Sequence, residues 1–261
     1  MKHTLFVPLV LLCGLPAMIA SAAIKTEVVD YKDGDVVLQG YLAYDDSKPT
    51  GAPGILIVHE WWGHNDYSRQ RAEQLAGLGY VAFALDMYGK GVKAETAPEA
   101  GKLATPFYTD RGLMRSRATA GLNVLKSQKN VDPKRIVAIG YCFGGSTALE
   151  LARSGADLAG VVSFHGGLDF PNADETKNIK GRVLICTGAD DPMVTADQVN
   201  LFEDQLRKAN IDYQINVYGG AVHAFTNPAA DAHNIPGIKY NEKADKRSWE
   251  AMKSFFADLF K

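Results

Sequence analysis

One stretch constrains the fold more than any other: Ile136-Val137-Ala138-Ile139-Gly140-Tyr141-Cys142-Phe143-Gly144-Gly145. A β-branched apolar run ends in Gly-x-Cys-x-Gly and passes at once into Ser146-Thr147-Ala148-Leu149-Glu150-Leu151, which reads as a helix. A side chain on so tight a strand-to-helix turn projects into open space only if the residues two before and two after it lack bulk. Gly140 and Gly144 meet that demand. The helix behind Cys142 would aim unpaired backbone N–H groups and a positive dipole end at the sulfur, favouring a thiolate and then an oxyanion. Two blander readings compete: a small buried cysteine in a tightly packed strand end, and a dinucleotide-binding turn. The second is disfavoured because Cys142 stands where that turn needs its second glycine.

The residues downstream of the elbow favour acyl transfer. A strand–elbow–helix nucleophile needs an acid and then a histidine, in that order. Arg182-Val183-Leu184-Ile185-Cys186-Thr187-Gly188 reads as a strand and empties into Ala189-Asp190-Asp191-Pro192-Met193-Val194, an acidic turn before another helix. Tyr213 to Tyr218 reads as a last strand, followed by Gly219-Gly220-Ala221-Val222-His223-Ala224-Phe225. Alone, an Asp-Pro turn caps a helix and a loop histidine is solvated; together and in this order they predict a Cys142–Asp191–His223 triad of nucleophile, orienting acid and base. Asp190 competes for the acid's place. Asp191 is preferred because Pro192 fixes the chain directly after it, leaving Asp190 to water or a cap.

The chain resembles the dienelactone hydrolase family, cysteine-dependent α/β-hydrolases that open unsaturated lactones. The resemblance runs from about Glu27 to the C-terminus through Ile55-Leu56-Ile57-Val58-His59-Glu60-Trp61-Trp62-Gly63, Phe83-Ala84-Leu85-Asp86-Met87-Tyr88-Gly89, the elbow, Asp191-Pro192 and His223-Ala224-Phe225-Thr226-Asn227-Pro228. It implies an α/β-hydrolase fold, a mostly parallel central sheet with helices on both faces. It also gives Glu60 the task of taking the thiol proton when substrate arrives; the alternative is a surface acid. Besides the Phe143 N–H, this fold draws a second oxyanion donor from the loop after the third strand, where Trp61 stands. The indoles of Trp61 and Trp62 are expected to wall the pocket, with Tyr88, Phe107, Tyr108, Arg111, His165 and Asn227 as further candidates. One departure matters: the family's best-known members carry an arginine four residues after the histidine, for a substrate carboxylate, and here that residue is Asn227. Lys102 is the only cation between Ala97 and Thr109, so neutral esters or lactones are expected as better substrates, unless Arg111 or Arg115 leans over the pocket.

No cofactor or metal is expected. His59-Glu60-x-x-x-His64 misses the His-Glu-x-x-His spacing by one residue and follows a strand. His165 ends the strand-like Gly160 to Phe164 but precedes the acid, so it lines the pocket or is structural; His3 and His233 have no assignable partner. At the N-terminus, Leu5 to Ile19 is apolar and Ala20-Ser21-Ala22 is small-x-small, which reads as a secretory signal of residues 1–22, followed by a single domain over 23–261. Export to the periplasm or beyond is the expectation from that reading. Cleavage would remove Lys2 alone among charged side chains, taking the net charge from −2 to −3. Such a chain has no charge signature for nucleic acid or an anionic membrane.

Cys142 and Cys186 should stand about 10 Å apart, on strands separated by one other, beyond disulfide reach. Strand-like and helix-like segments alternate without repeats or linkers, and Val36 to Tyr44 reads as an antiparallel opening strand. Helices are expected at Tyr67–Ala76, Thr109–Ser127, Ser146–Arg153, Ala196–Ala209 and Asn241–Phe260, with Gly89 to Tyr108 an irregular lid-like segment. Two function classes fit: a hydrolase of esters or lactones (a thioesterase being a variant), and a non-enzymatic ligand-binding protein on the same scaffold. The intact triad order favours the hydrolase.

Overall fold

The computed structural model describes residues 24–48 and 50–261; the expected signal segment and Cys13 lie outside the described residues. Strands β1 (Ile24–Asp33) and β2 (Val36–Asp45) form an antiparallel hairpin, as the sequence predicts, turning at Gly34 with φ +58°. Then come β3 (Ala52–Val58), α1 (Asp66–Gly77), β4 (Val81–Leu85), α2 (Ala97–Thr109), α3 (Arg111–Lys126), β5 (Val131–Tyr141), α4 (Phe143–Arg153) and β6 (Gly160–Phe164). The chain continues through a 3₁₀ turn at Ala173–Asn178, β7 (Arg182–Gly188), α5 (Ala196–Lys208), β8 (Tyr213–Tyr218), a second 3₁₀ turn at Ala230–His233, and α6 (Glu242–Leu259). The eight strands make one sheet in the order β1-β2-β4-β3-β5-β6-β7-β8, antiparallel at β1-β2-β4 and parallel from β4 to β8.

The inner strands carry continuous apolar runs, such as Ile55–Val58 and Ile136–Ile139, because both faces are covered there. Ile55 and Ile57 on β3 face the side closed by α1 and α6, against Ala72, Leu75, Met252 and Phe256, while Leu56 and Val58 face the side of α3, α4 and α5 with Met114, Leu149 and Phe202. That alternation is the period of two built into a strand. After β3 the chain adds β4 on one side and then crosses back to lay β5 on the other, so the carboxyl ends of β3 and β5 flank a topological switch point, where open α/β sheets hold ligands. Glu60 lies just beyond the first and Cys142 just beyond the second.

Two expectations need correction. Residues 97–109 are helical, not irregular: the Thr96 N–H donates to the Glu99 carboxylate at 3.1 Å and Pro98 lies in the first turn, a capping arrangement present in the sequence but masked by Pro106 inside the helix. Helix α4 begins at Phe143 rather than Ser146, leaving Cys142 as the single residue between strand and helix. Cys142 and Cys186 are both free, and β6 lies between their strands.

Candidate active site

Cys142 sits at φ +54°, ψ −118°, a region that non-glycine residues occupy only when their surroundings impose it. The surroundings do so. A Cβ on Gly140 would lie 1.9 Å from the Gly144 carbonyl oxygen, and one on Gly144 would lie 2.2 Å from that of Val58. Strand β5, helix α4 and the end of β3 therefore approach as backbone against backbone, and Cys142 alone is pushed out of the turn. Phe143 opens α4, so its N–H is among the donors without an intrahelical partner.

Asp191 and His223 come together as the sequence predicts. His223 Nδ1 donates to Asp191 Oδ2 at 2.9 Å, while Asp191 Oδ1 accepts the N–H groups of Met193 at 2.8 Å and Val194 at 3.2 Å. Asp191 is buried and Asp190 exposed, so of the two carboxylates it is Asp191 that meets His223. The histidine loop is pinned from the other side, where the His223 N–H donates to the Gly237 carbonyl at 3.0 Å and the Lys239 N–H to the His223 carbonyl at 3.1 Å. His223 Nε2 is buried without a hydrogen bond and lies beside Cys142. Burial pulls the imidazole's pKa down, but a Cys142 thiolate and the Asp191 carboxylate outweigh it and raise it to about 10. The surroundings therefore favour the imidazolium form of His223.

Glu60 is only 3 % exposed, so the surface reading is wrong. Its Oε2 accepts the Asn227 amide at 2.6 Å. Desolvation raises its pKa to about 7 against the smaller opposing pull of that amide and of His223 and Arg71. The preceding residue fixes the loop: His59 Nδ1 donates to the Glu60 carbonyl at 2.5 Å and its Nε2 accepts the Met87 N–H at 3.1 Å. Burial lowers the His59 pKa, which suits an imidazole that must donate from one nitrogen and accept at the other.

A cavity of about 430 Å³ opens over these groups, lined by Cys142, His223, Trp61, Tyr108, Arg111 and Asp169, with Met193, Val194, Gly167 and Ile238 completing it. Several candidates lie elsewhere. Trp62 turns away to stack on His233 at 3.8 Å, which also gives His233 the partner the sequence did not reveal. Tyr88 and Phe107 pack under the site against Phe143, whose ring is itself buried, and the Tyr88 hydroxyl donates to the Trp61 carbonyl at 3.0 Å. His165 is fully buried behind Cys142, and Asn227 is spent on Glu60. Lys102 is exposed and Arg115 is bound to Glu150 at 2.5 Å, so of the possible cations Arg111 reaches the cavity. Sequence reasoning missed Asp169, which stands in a loop with no motif to mark it.

The chain has known relatives. The dienelactone hydrolase family profile matches residues 38–260. A putative carboxymethylenebutenolidase of Aquifex aeolicus is 28% identical over 90% of this chain and 99% of its own. Protein usf of Aquifex pyrophilus is 30% identical over 77% of this chain and 87% of its own. Among solved structures, a dienelactone hydrolase-like promiscuous phosphotriesterase from metagenomic libraries superposes with a TM-score of 0.88 at 40% identity, covering 92% of this chain and 99% of that one. With the profile spanning nearly the whole sheet and the elbow, acid and histidine falling inside it, the chain belongs to the dienelactone hydrolase family.

Proposed function

We propose that this protein hydrolyses carboxylic esters or lactones through an acyl-enzyme on Cys142. The observation that carries the reading is the joint placement of Cys142, on its outward-pushed turn, and of His223, oriented by Asp191 at 2.9 Å, in the wall of one cavity. The Cys142 sulfur attacks the carbonyl carbon and the C=O electron pair moves onto oxygen, where the N–H groups of Phe143 and Trp61 receive the charge. The intermediate collapses, the ester C–O bond breaks, and the His223 imidazolium gives its Nε2 proton to the departing oxygen. A water then loses a proton to neutral His223 and attacks the thioester, releasing the acid and the Cys142 thiolate. Asp191 holds the ring so that Nε2 faces the sulfur. Glu60, as the family resemblance implies, takes the Cys142 thiol proton when substrate enters and returns it to the thiolate once the acid has left. Esters are favoured over amides because a thiolate leaves the tetrahedral intermediate more readily than an unprotonated amine does.

The phosphotriesterase activity of the 40% identical neighbour supports a second reading, phosphotriester cleavage by the same sulfur. We also propose export with removal of residues 1–22, supported by the n-, h- and cleavage-region pattern; intact mass of secreted material starting near Ala23, with two free thiols, is the check. The main test is a panel of lactones, aryl esters, thioesters and phosphotriesters, run on the wild type and Cys142→Ala. Turnover that vanishes in Cys142→Ala with the melting temperature unchanged is expected. Full turnover in that variant would remove the cysteine from the chemistry, and no turnover of any substrate by wild type would favour the binding-protein alternative.

A further inference from the structure

His165 has no part in those steps, yet it is fully buried directly behind the nucleophile and is held in the left-handed region at φ +41°, a strained place for a non-glycine residue. Its N–H is fixed by the Cys186 carbonyl at 2.8 Å. Its ring reaches two loops at once. Nδ1 accepts the Cys142 N–H at 3.1 Å, a hydrogen shared with the Phe164 carbonyl at 3.0 Å, and Nε2 lies 2.7 Å from Thr226 Oγ1. Thr226 stands three residues beyond His223, and the His165 ring lies edge-on to His223 at 5.3 Å.

The partners determine the tautomer. A backbone N–H can only donate, so Nδ1 is bare and the hydrogen is on Nε2, donating to Thr226 Oγ1. The Thr226 hydroxyl then donates to the Tyr67 hydroxyl at 2.7 Å, which also accepts from Arg71 Nε at 3.3 Å. Arg71 Nη2 closes the chain on the Thr226 carbonyl at 2.8 Å and on Asp245 at 2.6 Å. Burial, with the nearby charges of His223 and Arg71, keeps the His165 pKa well below its ordinary value, so the ring stays neutral.

We infer that His165 is a positioning residue that ties the nucleophile's turn to the loop carrying the base, setting the approach of Cys142 Sγ to His223 Nε2. Its effect on turnover rests on the proposed roles of those two residues. Misplacement of reacting groups by about 1 Å can cost on the order of 10²-fold, whereas substrate contacts in the cavity are untouched. The loss therefore falls on kcat and not on KM.

The experiment measures kcat, KM, melting temperature and the rate of Cys142 alkylation by iodoacetamide, with p-nitrophenyl butyrate as substrate. His165→Leu is expected to lower kcat by about 10²-fold, with KM within about 3-fold and alkylation slowed in step. His165→Asn, whose Oδ1 falls near the Nδ1 position, should regain about 10-fold of that loss. Thr226→Val keeps the histidine and cuts its link to the base loop, along with the bond to Tyr67; it should lose about 10-fold in kcat, and it decides the matter should His165→Leu not fold. A folded Thr226→Val and a folded His165→Asn both turning over within about 2-fold of wild type, or losses confined to KM, would overturn the inference. If instead Cys142→Ala is active, the proposed chemistry fails, a result separable from full activity in the His165 and Thr226 variants.

Discussion

Two buried glutamates, Glu60 and Glu150, receive opposite treatment. Glu150, on the inner face of α4 and 1 % exposed, meets Arg115 at 2.5 Å and Arg153 at 3.5 Å; Glu175 is a second carboxylate for both arginines. Glu60, at the end of β3, gets a neutral amide from Asn227 and is pushed up to about 7. A carboxylate paired with arginines serves packing, tying together α3, α4 and the 3₁₀ turn at Ala173–Asn178. One left with an amide sits where its proton can come and go near neutral pH, as a proton acceptor needs. The same residue type is thus tied into ion pairs on α4 and left with an amide and a labile proton at the end of β3, and burial alone does not distinguish the two.

The largest expected effect sharpens the site side of this contrast. Asp191→Asn should lower kcat by about 10³-fold or more by analogy with triad acids, while the exposed Asp190→Asn should stay within about 3-fold. The reverse ranking in steady-state kinetics would contradict the 2.9 Å contact to His223.

On the other side, Glu150→Gln should cost about 3–5 kcal/mol of unfolding free energy, because the fully buried Arg153, though still bonded to Thr176 and the Asn172 carbonyl, would keep as charge partner only Glu175 at 4.0 Å. Denaturant midpoints read this directly, and kcat of the folded fraction should be unchanged. A loss of turnover without a loss of stability would break the distinction between the two glutamates.

Much of the site is legible in the sequence alone. The elbow glycines, the order Cys142–Asp191–His223 and the runs of β3, β5 and β7 are local signals, since spacing and bulk decide them. What stays hidden depends on tertiary direction. Trp62 and Trp61 are adjacent, yet only Trp61 faces the cavity; the turn at 60–63, closed by the Gly63 N–H on the Glu60 carbonyl at 3.2 Å, separates them. The His165 link to Thr226 joins residues 61 positions apart, and no periodicity carries that. Helix α2 escapes the sequence reading for a local reason: Pro106 outweighs the Thr96–Glu99 cap, although only one intrahelical N–H is lost there.

A smaller effect tests the Glu60 half of the contrast by pH. Folded Glu60 holds its proton up to about pH 7, whereas the unfolded carboxyl releases it near 4.5. Between those values the folded chain binds the extra proton, so this group's stabilisation is complete below 4.5 and is lost as pH rises through about 7. The change amounts to about 3 kcal/mol from the usual conversion of a pKa difference. Glu60→Gln should remove that slope and make the protein more stable at pH 8, while losing the rise in turnover through neutrality. Superimposable pH–stability curves for wild type and Glu60→Gln would mean that Glu60 does not titrate near neutrality in the folded chain.

The smallest expected effect concerns charge at the cavity mouth, where the arginine pattern of the family's best-known members is absent. Asn227 is turned inward to Glu60, and Lys102 and Arg115 point elsewhere. Arg111, at the start of α3, does line the cavity; its guanidinium lies 5.4 Å from the centre of the Tyr108 ring, and its Nε is buried without a hydrogen bond. Asp169 lines the same cavity with the opposite sign. From their charges alone, Arg111 should attract a substrate carboxylate and Asp169 repel it, which would make the preference for neutral esters expected from the sequence a modest one. Because both are solvent-accessible, each should contribute only about 1 kcal/mol, or about 5-fold. Arg111→Ala should lower kcat/KM for a carboxylated lactone by about that factor and leave its methyl ester within about 2-fold, whereas Asp169→Asn should raise the value for the acid. Both changes should fade as ionic strength approaches 1 M, where the screening length falls to about 3 Å. If the acid and the methyl ester respond alike to Arg111→Ala at low salt, the cavity does not read charge and substrate choice rests on shape against Trp61 and Tyr108.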